Sequence, residues 1–277
     1  MIKKLLLILV LLTSFLSNSQ NSQTQKETLV EKANDTITTP DSGFSCDLQL
    51  VNRYYWRGMD IDDSPAFQPD FSYAWKNGLK IGLWGTFGFS PMKETVDGVE
   101  ENYGHYAEFD PYISFTKNWF SIELNDYFTV STIGESDYMN FKKGETGHSG
   151  VVNVTLGGTE KFPLSFTAST VIYGADMTKD EFGEWGMGTR NNYSTYLEVI
   201  YPFELKSIGL EINPELGMTP WGGYGYAEKS AFVNAGVRLN KSIRFSDSYS
   251  LPLELGILNN PDAEKTYFIM KVSFFTK

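Results

Sequence analysis

The chain has 277 residues, a hydrophobic fraction of 41% and a formal net charge of −11. An acidic chain is a poor partner for nucleic acid, because surfaces that bind phosphate backbones are basic. The chain contains one cysteine, Cys46, which excludes both an intramolecular disulfide and a Cys-x-x-Cys site. Beyond the N-terminus no stretch approaches about 18 consecutive apolar residues, which excludes an α-helical membrane protein.

The N-terminus has the pattern of a secretory signal peptide. Lys3 and Lys4 precede a short apolar core, and small residues follow it, so residues 1–19 are predicted to be removed on export. Removal of the two lysines takes the formal net charge from −11 to −13. Residues 20–45 are polar and predicted to form a flexible tail, and residues 46–277 are predicted to form a β-barrel domain. Cys46 lies too far from the apolar core to favour a lipoprotein.

Twelve segments with alternating apolar and polar residues follow the tail. Each is close to the roughly nine to eleven residues that a tilted strand needs to cross a bilayer. The predicted strands are 46–57, 66–76, 79–90, 104–117, 119–131, 149–159, 163–174, 192–202, 208–220, 230–241, 249–258 and 265–275.

Short and long connections alternate along the chain. Asn77-Gly78 and Lys117-Asn118 are tight turns, whereas residues 91–103, 132–148 and 175–191 are long connections. An even number of strands then places all short turns on one side and all long loops on the other. This is the arrangement of outer-membrane barrels, which have short periplasmic turns and longer extracellular loops.

Alternation gives every predicted strand one apolar and one polar face. In the second segment, Phe67 and Phe71 share one parity and Gln68 and Asp70 the other. A soluble sandwich, which stays an alternative, would need one very large core for all these apolar faces. A closed barrel with its apolar faces in lipid satisfies the backbone and removes exposed edges. We therefore predict an all-β fold, a closed antiparallel up-and-down transmembrane barrel of twelve strands.

Two features depend on this interpretation. Aromatic residues near strand ends, among them residues 54–56 and Trp119, are predicted to form interfacial girdles. Asp126 breaks the pattern, because its parity matches Leu124 and Phe128 and would point a carboxylate at lipid. Either a bulge near Asn125 turns it inward, or it lies close to the interface.

Six motifs stand out along the chain: NRYYWRGM at 52–59, PAFQPDFSY at 65–73, GLWGTFGFS at 82–90, EFDPYISF at 108–115, NDYF at 125–128 and NPDAEKTYFIMKVSF at 260–274. They resemble those of the TorF-like outer-membrane porin family, a group of conserved proteins of unknown function (Gcw_chp type). The resemblance runs from about Cys46 to Phe275 and implies an outer-membrane β-barrel. It brings no catalytic residues and no agreed solute.

Few residues are suited to catalysis or metal binding. His105 and His148 are the two histidines, and His148 is interpreted as a solvated loop residue. His148 and Ser149 are adjacent on a strand and point to opposite faces, which makes them a poor catalytic pair. The acidic run Asp60, Asp62 and Asp63 is a weak candidate for a divalent ion that bridges lipopolysaccharide phosphates, but it lacks the EF-hand spacing. We predict no catalytic residues, no metal site and no cofactor.

Strand parity assigns a set of side chains to the lumen. The predicted pore-lining residues are Arg53, Arg57, Asp70, Lys80, Trp84, Glu108, Asp110, Glu123, Glu211, Glu215 and Arg238. Parity also places Lys76, Glu198, Glu254 and Lys271 there. Acids outnumber bases, which favours cations if the bore is filled with water. If the charges pair across the bore, they plug it.

These observations predict a non-enzymatic bacterial outer-membrane porin for passive diffusion of small hydrophilic solutes or ions, with a slight preference for cations. The expected partners are outer-membrane lipid and lipopolysaccharide. One alternative is a closed structural or adhesion barrel whose loops bind a partner. A third is an outer-membrane enzyme that modifies lipid.

Overall fold

The fold comes from a computed structural model that describes residues 42–276, except 97–98, 131–136, 224 and 248. The predicted signal peptide and most of the tail lie outside these residues. Twelve antiparallel strands form a closed barrel, because β1 pairs with β15 and β10 pairs with β12. The wall strands are β1 (Gly43–Val51), β4 (Ala66–Ala74), β5 (Leu79–Val96), β6 (Val99–Lys117), β7 (Phe120–Val130), β8 (His148–Gly157), β9 (Ser165–Gly174), β10 (Thr195–Ile200) with β11 (Phe203–Leu205), β12 (Leu210–Thr219), β13 (Ala231–Arg244), β14 (Ser250–Asn260) and β15 (Lys265–Thr276).

The prediction of one strand over residues 46–57 is wrong at its C-terminal end. β1 ends at Val51, and the chain leaves the wall to form a separate two-stranded hairpin of β2 (Tyr54–Trp56) and β3 (Met59–Asp62). Arg57, with φ 50°, and Gly58, with φ 90°, form its turn. Two consecutive residues with positive φ reverse the chain tightly, as in a type I′ turn. Alternation alone could not reveal this, because the hairpin strands continue the same pattern.

Asn52 closes the wall at the point where the chain turns away. Its backbone N–H donates to Met270 O at 3.0 Å, its amide Nδ2 donates to Phe268 O at 2.8 Å, and its Oδ1 accepts from Met270 N at 2.7 Å. The side chain therefore takes the place of the backbone groups that another residue of β1 would have offered to β15. An unpaired strand edge facing lipid would be costly, and the amide prevents it here.

Two other boundaries differ from the prediction. Residues 91–103 were predicted as a loop, but β5 and β6 continue as paired strands as far as Val96 and Val99. The strand predicted over 192–202 is interrupted after Ile200, because Pro202 has no N–H to donate to the ladder. β11 resumes the same path beside β12.

The connections alternate between short and long, with two exceptions. Only residues 97–98 lie between β5 and β6. The turn 75–78 joins β4 to β5, and at Gly78 (φ 95°) a Cβ would lie 2.1 Å from the carbonyl oxygen of Thr116. Glycine is therefore required there by both backbone conformation and space. The connection between β14 and β15, predicted as a long loop, is only residues 261–264.

Apolar side chains cover the outside of the wall. Phe71 is 42% exposed, Ile81 45% and Ile113 44%, whereas the inward Thr86 and Asp110 are 0% and 2% exposed. This distribution is the reverse of a soluble domain, and it agrees with the predicted faces. Within the described residues there is no helix that is long and apolar enough to cross a bilayer.

Candidate functional site in the barrel interior

Asp70 and Lys80 lie on neighbouring strands near the short-turn end of the barrel. Tyr112 of β6 donates from its hydroxyl to Asp70 Oδ1 at 3.0 Å, across the intervening strand. The ammonium of Lys80 lies 5.1 Å from the centroid of the Tyr112 ring. Tyr112 is thus the centre of this cluster, and it was not among the predicted residues. Lys76 is an exposed residue of the turn, so its assignment to the interior is wrong.

Glu108 and Asp110 lie two residues apart on β6 and share its inward face. The hydroxyl of Tyr106 donates to Glu108 Oε2 at 2.9 Å, and the backbone N–H of Phe128 donates to Asp110 Oδ1 at 3.2 Å. The other oxygen of Asp110 is buried and has no hydrogen-bond partner. Within the described residues neither carboxylate forms an ion pair, so hydroxyl and backbone donors take the place of bases.

Side-chain amides donate hydrogen bonds to two other predicted pore-lining acids, Glu123 and Glu211. Asn125 and Asn153 donate to Glu123 Oε1 at 2.9 and 3.4 Å. Asn213 and Asn240 donate to Glu211 Oε1 at 2.7 and 3.2 Å. These four asparagines are on inward positions of β7, β8, β12 and β13, where parity could have found them, but their lack of charge kept them out of the prediction.

Arg238 is the centre of an ionic cluster. Its Nε donates to Glu215 Oε2 at 2.7 Å and its Nη1 to Glu254 Oε1 at 2.9 Å. The ammonium of Lys271 lies 3.2 Å from the other oxygen of Glu254, and Asn234 donates to Glu215 Oε1 at 2.8 Å. Two bases therefore neutralise two acids, in a network whose members are bonded on several sides.

The β2–β3 hairpin lies inside the barrel and contacts it on both sides. Towards β5, β6 and β7, Tyr54 packs against Trp84 with ring centroids 5.5 Å apart, and Trp56 packs against Tyr127 at 5.3 Å. Trp84, which strand parity assigned to the lumen, thus contacts the hairpin rather than open space. The prediction that residues 54–56 belong to an aromatic girdle is wrong, because they face the interior.

Towards β13, β14 and β15, polar and apolar contacts hold the same hairpin. The hydroxyl of Tyr55 donates to Asn234 Oδ1 at 3.0 Å, and the amide of Asn260 donates to Gly58 O at 2.9 Å. The Tyr55 ring packs in a small hydrophobic cluster with Leu258 and Ile269. The hairpin therefore bridges opposite walls of the barrel.

Arg53 and Arg57 reach the interior through this hairpin, because the strand on which their parity was counted ends at Val51. Arg57 Nη2 donates to Asn153 Oδ1 at 2.8 Å, and its guanidinium carbon lies 4.4 Å from the Trp56 ring centroid and 5.4 Å from that of Tyr196. Arg53 Nη1 lies 2.7 Å from Asp60 Oδ2.

The acidic run of the hairpin does not converge on one point. Asp60 pairs with Arg53, the carboxylate of Asp62 accepts from both the N–H and the hydroxyl of Ser64, and Asp63 is exposed. Burial raises the pKa of Asp60 above its ordinary value, and Arg53 opposes that effect. Within the part of the chain that the structure describes, no cluster of three or more His, Cys, Asp or Glu side chains could hold a metal ion.

The interpretation of His148 as a solvated loop residue is wrong. Its ring is 0% exposed, with Nδ1 2.9 Å from Asp126 Oδ2 and Nε2 2.8 Å from Tyr138 O. Loop residues Tyr138 and Phe141 cover it, together with Phe128 of β7. His105 is exposed and its Nδ1 lies 2.9 Å from Gly88 O.

The family model described as "Bacterial protein of unknown function (Gcw_chp)" matches residues 37–249. The chain belongs to this family. The match confirms the family-level resemblance and extends over most of the barrel, while the narrower TorF-like name stays a prediction. The search of curated proteins found no match.

Two solved structures are similar to this member of the family. One is described as "KdgM porin", with 13% identity, a TM-score of 0.42 and coverage of 84% of this chain and 99% of that one. The other is the COG4313 outer membrane channel from Pseudomonas putida F1, with 13% identity, a TM-score of 0.46 and coverage of 89% and 99%.

Proposed function

We propose that the protein is an outer-membrane barrel through which small hydrophilic solutes diffuse passively, with a slight preference for cations. The observation that carries this proposal is the polar interior of a barrel with an apolar exterior. Charged, amide and hydroxyl groups from most strands meet inside, which is the distribution expected of a water-filled bore in a lipid-embedded wall.

The inserted hairpin supplies the constriction of this channel. It contacts β5 through Trp84 and β13 through Asn234, so the space left for solutes lies between the hairpin and the wall. The width of this space limits the size of the solute, and the acidic side chains along the wall favour positively charged solutes. Among those acids, Glu108, Asp110 and Glu123 have hydroxyl or amide donors instead of ion pairs within the described residues.

The outer membrane is the location that suits this distribution of side chains. Exposed residues such as Phe71 and Ile113 contact lipid, and the long connections extend from one end of the barrel, where lipopolysaccharide lies. The predicted signal peptide supplies the export that this location requires.

A closed structural or adhesion barrel is the second candidate. The contacts of Tyr55 with Asn234 and of Asn260 with Gly58 favour it, because they fix the hairpin across the bore. Lipid-modifying chemistry has less support, since both ring nitrogens of His148 are engaged and neither is free to activate a serine. No cofactor is needed for passive diffusion.

Planar-bilayer recording of the purified, refolded mature chain tests the proposal. The wild type is expected to conduct ions, and a variant in which residues 54–62 are replaced by a short Gly-Ser linker is expected to conduct more. Asp70→Asn is expected to reduce the preference for cations. The absence of conductance in both proteins would contradict the channel, whereas conductance by the shortened variant alone would favour the closed barrel.

A further inference from the structure

Among the described residues, Arg57 differs from Arg53 and Arg238 because no carboxylate forms an ion pair with it. Arg238 pairs with Glu215 and Glu254, and Arg53 pairs with Asp60. Arg57 Nη2 donates to the neutral amide oxygen of Asn153 at 2.8 Å, and the guanidinium also bonds to the hydroxyl of Tyr226, so the hydrogen-bond acceptors described for it are not carboxylates. Its Nη1 is buried and has no hydrogen-bond partner.

The surroundings of Arg57 hold this charge in place. The side chain lies over Trp56 on its own hairpin and faces Tyr196 of β10, so two rings contact the guanidinium by their faces. Tyr196 in turn donates from its hydroxyl to Glu198 Oε2 at 2.6 Å, so this acid is connected to Arg57 through the Tyr196 side chain. Part of the Arg57 side chain stays accessible from the interior space. A guanidinium does not lose its proton in proteins, so the positive charge is permanent.

The position of this charge determines what it can do. The turn of Arg57 and Gly58 is the tip of the hairpin, which reaches from β8 through Asn153 to β14 through Asn260. A charge in a narrow, weakly polarisable space acts on a passing ion more strongly than the same charge in open water. The paired charges of Arg238 and Glu215 largely cancel for a passing ion, whereas that of Arg57 does not.

We propose that Arg57 is the residue that determines ion selectivity at the constriction, where its unpaired positive charge offsets the acidic wall and admits anionic solutes. This inference rests on the proposed channel function. It also gives the hairpin a purpose beyond narrowing the bore, because the arginines of the described wall strands, Arg238 and Arg244, both lie on β13 and not beside β8 and β10.

Reversal potentials in planar bilayers under a tenfold KCl gradient test the inference with the full mature protein. Arg57→Gln is expected to raise the permeability ratio of K⁺ to Cl⁻ by about threefold or more, because one unit charge a few ångströms from the ion is removed. Arg57→Lys keeps the charge and is expected to stay near the wild-type ratio. Arg244→Gln is the control, since Arg244 is an exposed residue at the end of β13, away from the hairpin, where it pairs with Asp247.

A second variant covers the case in which Arg57→Gln does not fold, as judged by heat-modifiable gel migration. Arg57→His is charged at pH 5 and neutral at pH 8, so its ratio is expected to rise with pH relative to the wild type. An unchanged ratio in a conducting Arg57→Gln protein, or an equal shift in Arg57→Lys, overturns the inference and leaves the channel intact. Failure of the wild type to conduct overturns the channel, and the inference with it.

Discussion

Asp126 and His148 are joined at 2.9 Å on the outer face of the barrel wall, where the long connection between β7 and β8 folds back over them. The pairing of β7 with β8 is regular through Asp126, so no bulge turns the carboxylate inward. Both ring nitrogens of His148 lie close to oxygen atoms, with Nδ1 2.9 Å from Asp126 Oδ2 and Nε2 2.8 Å from Tyr138 O. The pair satisfies an outward acid that would otherwise face lipid.

His148→Ala is expected to release the loop around Tyr138 and to lower the free energy of unfolding by about 1–3 kcal/mol, because a buried ring and its bonds are lost. Unfolding in urea and limited proteolysis of residues 137–147 measure the two effects. His105→Ala is the matched control, since His105 is exposed. Equal stability and equal proteolysis of both variants would show that the His148 contacts are not important.

Asn52→Ala is expected to weaken the contact between β1 and β15, because Phe268 O and Met270 N lose their partner. The expected loss is about 1–2 kcal/mol of unfolding free energy, seen as a lower temperature for the heat-modifiable shift on gels. Asn259→Ala removes an amide whose bonds to Lys265 and Thr266 lie within one turn, and a smaller change is expected there. The opposite ranking would contradict the role given to Asn52.

Gly58→Ala is expected to push the hairpin tip away from β13 and to increase channel conductance. A Cβ at Gly58 would lie 2.0 Å from Val233 O, and the φ of 90° adds backbone strain. Gly183→Ala is the control, because Gly183 has a φ of 88° and no atom within 4 Å of the added Cβ. Backbone strain of this kind lowers the free energy of unfolding by more than about 1 kcal/mol in both variants, and only the Gly58 variant adds a steric clash. Identical recordings from both variants would rule out the clash as a cause.

Glu228 links two long loops, and the link is expected to depend on pH. The Lys179 ammonium lies 2.6 Å from Glu228 Oε2, and Trp185 Nε1 donates to Oε1 at 3.0 Å. The bond from Lys179, with that from Trp185, lowers the pKa of Glu228 below its ordinary value of 4.5. The link is therefore complete above that value and lost as pH falls through the lowered pKa.

Tryptophan fluorescence, compared between wild type and Trp185→Phe, follows this transition. The expected midpoint lies below pH 4.5, and Glu228→Gln should remove it, whereas the neighbouring Glu184→Gln should not. A midpoint at or above 4.5 would mean that Lys179 does not stabilise the ionised form in solution.

Local alternation was sufficient to predict the barrel. Phe67, Phe71, Gln68 and Asp70 divide between the two faces as expected, because a strand exposes successive side chains on opposite sides whatever its partners are. The tight turn at Asn77-Gly78 is equally local, since a positive φ is required there. Asp70 and Lys80 could be named for the same reason, although their shared contact, Tyr112, comes from another strand.

The path of residues 52–65 was decided only by tertiary structure. Nothing in the RYYWRG pattern distinguishes a strand in the wall from a hairpin in the bore, because both alternate. The choice depends on partners distant in sequence, such as Asn234 for Tyr55, Asn153 for Arg57 and Val233 for Gly58. The same holds for His148, whose burial depends on a loop that packs over it. The sequence by itself determined which way each wall strand faces, and only the closed barrel determined what its interior encloses.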